Sequence, residues 1–302
     1  MYEAYLHNAQ IFQGGALTYG RDQWMEQVTQ QLACFPDARL FVDEVFARED
    51  NSGDAFQVAM RCTLVGSHSG HGLYGAPTFR RVVQPWLLLL RLVEGRIVEE
   101  WRAVDEVGLL RQLGWSDVQI RENGPLPSPE PPESFGEIDR LNGQLPPEAP
   151  EEAEQFEIET FLRSTLHQLW NRRMIGRSDG NVDRYFRGHG NSRGERYGMQ
   201  DFQEDLLGWL AMFPDLTFHV DEIIWVGGSR EGFRAMVRWT WLGTHEGAGW
   251  LGKPTSRRVR TSGLSLFQVR NRRIAEAWTE FGEHALWHAV KPDLAPETTE
   301  PE

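Results

Sequence analysis

Two stretches of the chain combine carboxylates with a tryptophan in the way that acid–base catalysis requires. The first is EEWRAVDEVGLL at 99–110, and the second is EAWTEFGEHALW at 276–287. If the first is a strand, Glu99, Trp101 and Asp105 lie on one face, because side chains alternate with a period of two. An apolar cavity around a carboxylate raises its pKa towards neutrality, and a positioned base contributes about 10²–10⁴-fold to a rate. Asp105 is therefore a candidate general base.

Asp105 also fits a structural role, because it precedes EVGLLRQL and would cap the helix that this segment predicts. The second stretch has Gly282 at the matching position, but it carries Glu280 where the first has Ala103. A glutamate two residues earlier lies about 6.6 Å away along a strand. The second copy has therefore either lost the base or displaced it to Glu280.

Two arginines occupy matched positions, and each is followed two residues later by a threonine: Arg61 with Thr63, and Arg238 with Thr240. An arginine cannot shuttle a proton near neutral pH, but it can stabilise an oxyanion or hold a carboxylate. The alternative is an ion pair with an acidic neighbour across the sheet.

His68 and His245 recur in the sequences GSH and GTH at strand ends. The recurrence indicates either a shared role in fixing a loop by hydrogen bonds or a place at a pocket rim, beside Tyr74. His71 lies three residues after His68, but the second copy has Ala248 there, so we expect no metal site.

The chain is rich in tryptophan, with twelve residues of this type. Most are expected in the core. Trp86, Trp101 and Trp278 are the candidates for an apolar pocket that accepts a ring-bearing ligand.

Composition excludes several classes of protein. The chain has 302 residues, a formal net charge of -13 and two cysteines. The acidic balance argues against a nucleic-acid partner, and two cysteines are too few for a disulfide framework. The N-terminus does not read as a signal peptide, and the longest apolar run, WLLLL at 86–90, is far short of the roughly 20 residues of a membrane helix. We therefore expect a soluble, cytoplasmic protein without a membrane partner.

The two acidic stretches belong to an internal repeat. YGRDQWMEQVTQQLACFPD at 19–37 aligns with YGMQDFQEDLLGWLAMFPD at 197–215. After one loop indel, GSHSGHGLYGAPTFRRV at 66–82 aligns with GTHEGAGWLGKPTSRRV at 243–259. The order and spacing of these matches indicate a duplicated domain.

Each copy predicts one amphipathic helix followed by antiparallel strands. In copy one, Trp24, Val28 and Leu32 recur every four residues as the apolar face of the helix. A strand from Leu40 follows, then strands over 55–66, 80–93 and 96–105, a tight turn at 93–96 and a short helix over 105–114. One helix with a run of antiparallel strands is an α+β pattern.

The repeat and the composition define the domain organisation: domain 1 over 1–122, a linker rich in proline and glutamate over 123–153, domain 2 over 154–291, and a disordered acidic tail over 292–302. Domain 2 begins with an amphipathic helix, predicted over 154–170, that has no counterpart in copy one. We expect SFGEIDRLNG at 134–143 to dock in its place, unless the start of the chain was misassigned or truncated.

Several motifs in sequence order resemble the SnoaL-like polyketide cyclase group of the NTF2-like superfamily. They are FPD, VDE, RWTWLGTH at 238–245, the repeated G-x-P-T-x-R-R-V and I-x-E-x-W, and above all GRIVEEWRAVDEVGLLRQLG at 95–114. The resemblance implies two cone-shaped domains, each a strongly curved antiparallel sheet wrapped around helices and an internal pocket. It also implies dimers that pack sheet to sheet. The two copies are therefore expected to form an intramolecular pseudo-dimer, with a homodimer as the further option.

The resemblance also implies a chemistry. The best-known members close rings by aldol condensation without metal or cofactor, and Asp105 matches the aspartate that acts as their base. Those cyclases pair the aspartate with a histidine, but this chain has Arg91 and Gln268 at the two matching positions. Relatives that hydrolyse epoxides flank an arginine with carboxylates, whereas Thr63 and Thr240 stand in that place here. The first departure favours a more general acid–base chemistry on a carbonyl compound, and the second makes epoxide hydrolysis the weaker alternative.

We therefore predict a tandem SnoaL-like protein that cyclises, isomerises or hydrolyses a small apolar or aromatic carbonyl compound without a cofactor or metal. Asp105 would be the base, and Arg91 or Arg61 would hold the substrate or its oxyanion. The candidate ligand-binding residues are Trp101, Trp86, His68, Tyr74, Trp278, Glu280, Arg238 and His245. The competing hypothesis is a non-catalytic binding or interaction module of the same fold.

Overall fold

The computed structural model describes residues 2–49, 55–123, 156–190 and 192–291. In domain 1, a 3₁₀ turn (Tyr2–Ala4) precedes β1 (Tyr5–Gln13), β2 (Ala16–Tyr19), α1 (Arg21–Cys34), β3 (Arg39–Glu49), β4 (Ala55–Ser67), β5 (Arg81–Val93), β6 (Arg96–Val104), α2 (Glu106–Leu113) and α3 (Asp117–Asn123). The strands predicted over 55–66, 80–93 and 96–105 are confirmed, as is the short helix that follows them.

Domain 2 repeats this order after a helical segment of its own. That segment contains α4 (Ile158–Leu166), which continues into a π-helical turn (His167–Asn171), then a 3₁₀ turn (Ile175–Arg177) and α5 (Ser178–Asn181). The repeated elements are β7 (Val182–His189), β8 (Arg196–Tyr197), α6 (Gly198–Met212), β9 (Thr217–Gly228), β10 (Gly232–Thr244), β11 (Arg258–Arg270), β12 (Arg273–Phe281) and α7 (Glu283–Ala289).

Each domain contains one six-stranded mixed sheet. The strand orders are β2-β1-β6-β5-β4-β3 and β8-β7-β12-β11-β10-β9. Pairing is parallel between β1 and β6 and between β7 and β12, and it is antiparallel between the other neighbours. The turn predicted at 93–96 is confirmed, since Glu94 and Gly95 both have positive φ. The α+β class is confirmed as well.

Strands β1, β2, β7 and β8 were not predicted from the sequence. β1 buries Tyr5, Ala9 and Ile11, and its pairing with β6 shifts register between Tyr5 and Gln10. Such a shift interrupts the alternation by which a strand is recognised. The consequence for the site is that β1 and its turn lie beside β6, the strand that leads to Asp105.

Each sheet has an inner face, turned towards the helices of its own domain, and an outer face, turned towards the other domain. On the inner face of domain 1, α1 packs through Trp24 against Tyr5 and Ile11. The two outer faces pack against each other through Ala59, Leu87, Leu89 and Ala103 of domain 1 and Ile224, Met236, Leu264 and Leu266 of domain 2. The central strands β5 and β11 are therefore largely buried on both faces, whereas β3 is mostly exposed.

The predicted linker between the copies, apart from its first residue, lies outside the described residues, as do the segment 134–143 within it and the acidic tail. Within the described ranges, no helix has the length and apolar character needed to cross a membrane.

Candidate functional site

The interior of domain 2 contains a cavity of about 120 Å³. It lies between the inner face of the sheet, α6 and the helical segment that begins with α4. Leu166, Leu169 and Trp170 of that segment form one wall. Aromatic rings supply much of the remaining lining: Phe186, Phe202, Trp209, Phe218, Trp239, Trp241, Phe267 and Phe281. A cavity with this lining suits an apolar, ring-bearing ligand.

Domain 2 is hollow where domain 1 is filled, because matched inner-face positions carry side chains of different size. Ala277 and Thr279 of β12 line the cavity. The repeat places Glu100 and Arg102 of β6 at these two positions in domain 1. The small side chains of β12 therefore leave a space that the long side chains of β6 occupy.

A buried ion pair occupies that space in domain 1. Arg102 donates from Nε and Nη2 to Oε1 of Glu100, at 2.9 and 2.8 Å, and the Tyr5 hydroxyl donates to Oε2 at 2.5 Å. The guanidinium lies between the rings of Trp24 and Trp86, 4.4 Å from each centre. Burial first, and then the charge of Glu100, raise the pKa of Tyr5 far above its usual value. The interior of domain 1 is thus closed by polar packing.

The domain 2 cavity has two polar regions. On the sheet, Trp239 Nε1 donates to Ser265 Oγ at 2.9 Å, and Ser265 Oγ lies 2.9 Å from Thr279 Oγ1. Nearer to the surface, Arg196 Nε lies 3.2 Å from the Asp205 carboxylate. These few polar groups in an otherwise apolar lining are able to orient a ligand.

Asp105 lies outside the lining of this cavity, at the start of α2. Its Oδ1 accepts a hydrogen bond from Gly108 N at 2.7 Å, so the side chain caps the helix. A Cβ at position 108 would lie 1.9 Å from Asp105 Oδ2, so a larger residue there would displace the carboxylate from this position. Burial raises the pKa of Asp105 to about 6; the Gly108 N–H opposes this shift, and the carboxylate of Glu283 adds to it. The structure shows the capping role, and the role as a base stays a prediction.

Gly282 begins α7 as Asp105 begins α2, but its surroundings leave no space for a side chain. A Cβ at this position would lie 2.9 Å from Cα of Gly14, in the turn between β1 and β2. Glu280, two residues earlier, is buried, and by strand alternation it lies on the outer face, since the cavity is lined by Ala277, Thr279 and Phe281. The structure does not bring Glu280 into the cavity of domain 2.

Arg91 lies far from Asp105. Its Nη1 is 3.7 Å from the Glu99 carboxylate. Asp105 N donates to the carbonyl of Pro85 at 3.4 Å, and Arg91 follows Pro85 by six residues along β5. At about 3.3 Å per residue the separation is roughly 20 Å. The structure therefore does not bring together this predicted pair.

Arg61 and Arg238 make matched ion pairs with the two VDE motifs. Each lies 3.6 Å from the aspartate of its motif, Asp43 and Asp221. The threonine two residues after each arginine donates to the same aspartate, at 2.7 and 2.6 Å. The alternative expected from the sequence, an ion pair across the sheet, is the arrangement observed.

The same two arginines contact tryptophans of the opposite domain. The Arg61 guanidinium lies 4.6 Å from the ring centre of Trp278, and that of Arg238 lies 4.6 Å from the ring centre of Trp101. A second cavity, of about 220 Å³, lies beside Trp101 and Arg238 between the domains. Four predicted ligand-binding or catalytic residues thus meet at the contact between the outer faces. Trp86 instead belongs to the interior of domain 1.

His189 was not predicted as a site residue, yet it lies at this same contact. Its ring stacks on Trp278 with centres 5.0 Å apart, and its Nε2 is 2.8 Å from the Glu276 carboxylate. Its other ring nitrogen contacts Glu195. No pattern in the sequence marked His189, because β7, which carries it, was not recognised as a strand.

His68 and His245 fix matched loops. Each is fully buried, and each places Nδ1 3.2 Å from a threonine hydroxyl, that of Thr78 or Thr255. Burial lowers the pKa of both histidines. Tyr74 packs in the first of these loops, with its ring centre 6.1 Å from that of His68. Among the residues that the structure describes, no group of three His, Cys, Asp or Glu side chains is placed to hold a metal ion.

The match to a protein-family model agrees with the division into two domains. The family model described as SnoaL-like polyketide cyclase matches residues 3–113 and 160–288, one match in each domain. IdmH from Streptomyces antibioticus, assigned as a polyketide cyclase, is 30% identical over 37% of this chain and 84% of its own, with a TM-score of 0.33. AclR from Streptomyces galilaeus, assigned as a hydroxylase, is 27% identical over 37% of this chain and 70% of its own, with a TM-score of 0.33.

A protein from Jannaschia sp., assigned as a SnoaL-like polyketide cyclase, is 17% identical over 48% of this chain and 99% of its own, with a TM-score of 0.40. No curated protein matches the chain. The expected tandem arrangement of two NTF2-like domains is confirmed by the two family matches and the two sheets.

Proposed function

We propose, from the premise that this chain belongs to the SnoaL-like polyketide cyclase family, that domain 2 binds a small ring-bearing compound in its interior cavity. One observation carries the proposal: aromatic rings surround a space in domain 2, whereas Glu100 and Arg102 fill the matching space in domain 1. Domain 1 then acts as the packed partner of the ligand-binding domain, and the contact between the outer faces makes the pair an internal dimer.

The size of the cavity limits the ligand to about one ring. An apolar protein cavity of about 150 Å³ accepts benzene, and the cavity of domain 2 has about 120 Å³. Rings in the lining favour an aromatic ligand through stacked and edge-to-face contacts. A one-ring aromatic ketone such as acetophenone has suitable size and polarity and serves as the probe.

Filling the cavity is expected to abolish this binding. Ala277→Leu adds three carbons to the cavity wall, and we expect the affinity for acetophenone to fall by at least about tenfold, because the ligand and the new side chain compete for one space. Titration calorimetry or ligand-observed NMR measures the affinity. Ala211→Leu, on the exposed side of α6, is the matched control and should bind like the wild type. An unchanged affinity in a folded Ala277→Leu variant would rule out this cavity as the site.

A second candidate function, general-base catalysis by Asp105, is favoured by the pKa of about 6 that burial gives this carboxyl. A base whose pKa lies near the working pH is suited to removing a proton next to a carbonyl group. Asp105 lies near Glu283, the first residue of α7, so on this hypothesis the substrate binds beside the starts of α2 and α7. That site is separate from the cavity of domain 2.

Asp105→Asn tests the second candidate, because asparagine still caps a helix. The ionised form is the base, so proton abstraction by the wild type should increase as pH rises through about 6, and the variant should lose about 10²–10⁴-fold in rate. Deuterium uptake into the methyl group of acetophenone, followed by NMR, reports the abstraction. Uptake by the variant at the wild-type rate would contradict the assignment.

The stability of the same two proteins gives an independent measure of the pKa. The folded-state pKa of Asp105 is above its unfolded value of 3.8, so protonation favours the folded state. The wild type should therefore gain stability relative to Asp105→Asn as pH falls from 7 towards 4.

A further inference from the structure

One wall of the domain 2 cavity carries two hydroxyl groups that are hydrogen-bonded to each other. Ser265 of β11 and Thr279 of β12 are register partners, and their oxygens lie 2.9 Å apart. Trp239 Nε1, which can only donate, donates to Ser265 Oγ at 2.9 Å. Trp239 and Ser265 are both buried, so these hydrogen bonds form away from bulk water.

One of the two hydroxyl hydrogens is not used in the bond between these side chains. Two hydroxyls bring two O–H donors, and the bond between Ser265 and Thr279 uses one of them. Trp239 supplies a further donor and accepts neither hydrogen. Whichever way the bond between the two hydroxyls runs, one oxygen directs its hydrogen elsewhere, and both residues line the cavity.

We infer that Trp239, Ser265 and Thr279 form a hydrogen-bond relay that recognises a carbonyl oxygen of the ligand. The inference rests on the proposed function of the domain 2 cavity and adds the side chains that would bind the polar end of its ligand. The remaining hydroxyl donates to the carbonyl oxygen, and the aromatic lining contacts the ring. A ligand that lacks an acceptor leaves this O–H without a partner in an apolar space, which is unfavourable.

The relay belongs to domain 2 alone. The repeat places Cys62, Leu88 and Arg102 of domain 1 at the positions of Trp239, Ser265 and Thr279. None of those three side chains carries a hydroxyl, and Arg102 is bonded to Glu100. The polar feature and the cavity therefore occur in the same domain.

Two probes of the same shape test the relay: acetophenone, and isopropenylbenzene, in which a CH₂ group replaces the carbonyl oxygen. Dissociation constants of both are measured for the wild type and for the double variant Ser265→Ala/Thr279→Val. We expect the preference for acetophenone, given as the ratio of the two constants, to fall on the order of tenfold in the double variant. Comparing ratios cancels the difference in hydrophobicity between the probes. Thr279→Ser keeps the hydroxyl and should keep the wild-type ratio.

An unchanged ratio in the double variant would overturn the relay while leaving the cavity as a binding site. Absence of binding of both probes to the wild type would overturn the proposed function together with the relay, so the two failures differ. If the double variant does not fold, the infrared carbonyl stretch of acetophenone bound to the wild type decides. The frequency of this stretch should be lower than in cyclohexane, because a hydrogen bond to the carbonyl oxygen lowers it. A frequency equal to that in cyclohexane would overturn the relay.

Discussion

Arg102→Met is expected to lower the free energy of unfolding by about 3–5 kcal/mol, because it leaves a buried carboxylate without its ionic partner. Glu100 is 1% exposed and accepts two hydrogen bonds from the guanidinium. Among the described residues, the Tyr5 hydroxyl is the side chain that would still donate to it. The arginine also separates the rings of Trp24 and Trp86, so packing is lost as well. Urea unfolding measures the change.

Two further variants separate charge from packing. Arg91→Met breaks a pair with Glu99 in which the arginine side chain is 38% exposed, so it should cost no more than about 1 kcal/mol. Glu100→Gln/Arg102→Met removes both buried charges and should recover part of the loss. If Arg102→Met cost no more than Arg91→Met, the ion pair would not be what closes the interior of domain 1.

Gly282→Asp, which gives copy two the carboxylate of copy one, is expected to destabilise the protein by about 1–3 kcal/mol. A side chain at this position meets the backbone of Gly14, with Cβ 2.9 Å from Cα. Rotation of a side chain cannot relieve that contact, so the turn between β1 and β2 must move. Thermal unfolding of wild type and variant reports the loss.

Gly282→Ala should show most of the same loss, since the clash begins at Cβ. Gly228→Ala is the control, because a Cβ at position 228 has no atom within 4 Å. A Gly282→Asp variant as stable as the wild type would show that the turn between β1 and β2 can move at little cost in stability. The difference between Asp105 and Gly282 would then need another explanation.

The sequence predicted the fold through its repeat, but it did not predict which face of each sheet points inward. We expected Trp101 and Asp105 to lie on one side of a strand that faces a pocket, but β6 ends at Val104 and Asp105 caps the following helix. In the structure, Trp101 faces the other domain, and Glu100 and Arg102 face the interior. Runs such as WLLLL are apolar at every position because both faces of the sheet are buried along β5. Polar and apolar residues do not alternate there, so the pattern does not show which face points inward.

The site was less predictable than the fold for the same reason. The cavity depends on Ala277 and Thr279 standing where copy one has Glu100 and Arg102, a difference visible in the aligned repeat. This difference predicts a cavity only if the two positions are known to face the interior of the domain. The cap formed by Asp105 was among the alternatives expected from the sequence, since a carboxylate before a helix is a local signal. No local sequence pattern marks His189, because its contacts depend on how β7 pairs with the neighbouring strand.

The reciprocal contacts of Arg61 with Trp278 and of Arg238 with Trp101, both at 4.6 Å, have a consequence for how this chain can change. In a dimer of identical subunits, every substitution enters both interiors at once. Here each interior is encoded separately, while the matched contacts keep the two halves in register. One half is therefore free to exchange an open interior for a buried ion pair without closing the other, which a symmetric dimer could not do by any single mutation.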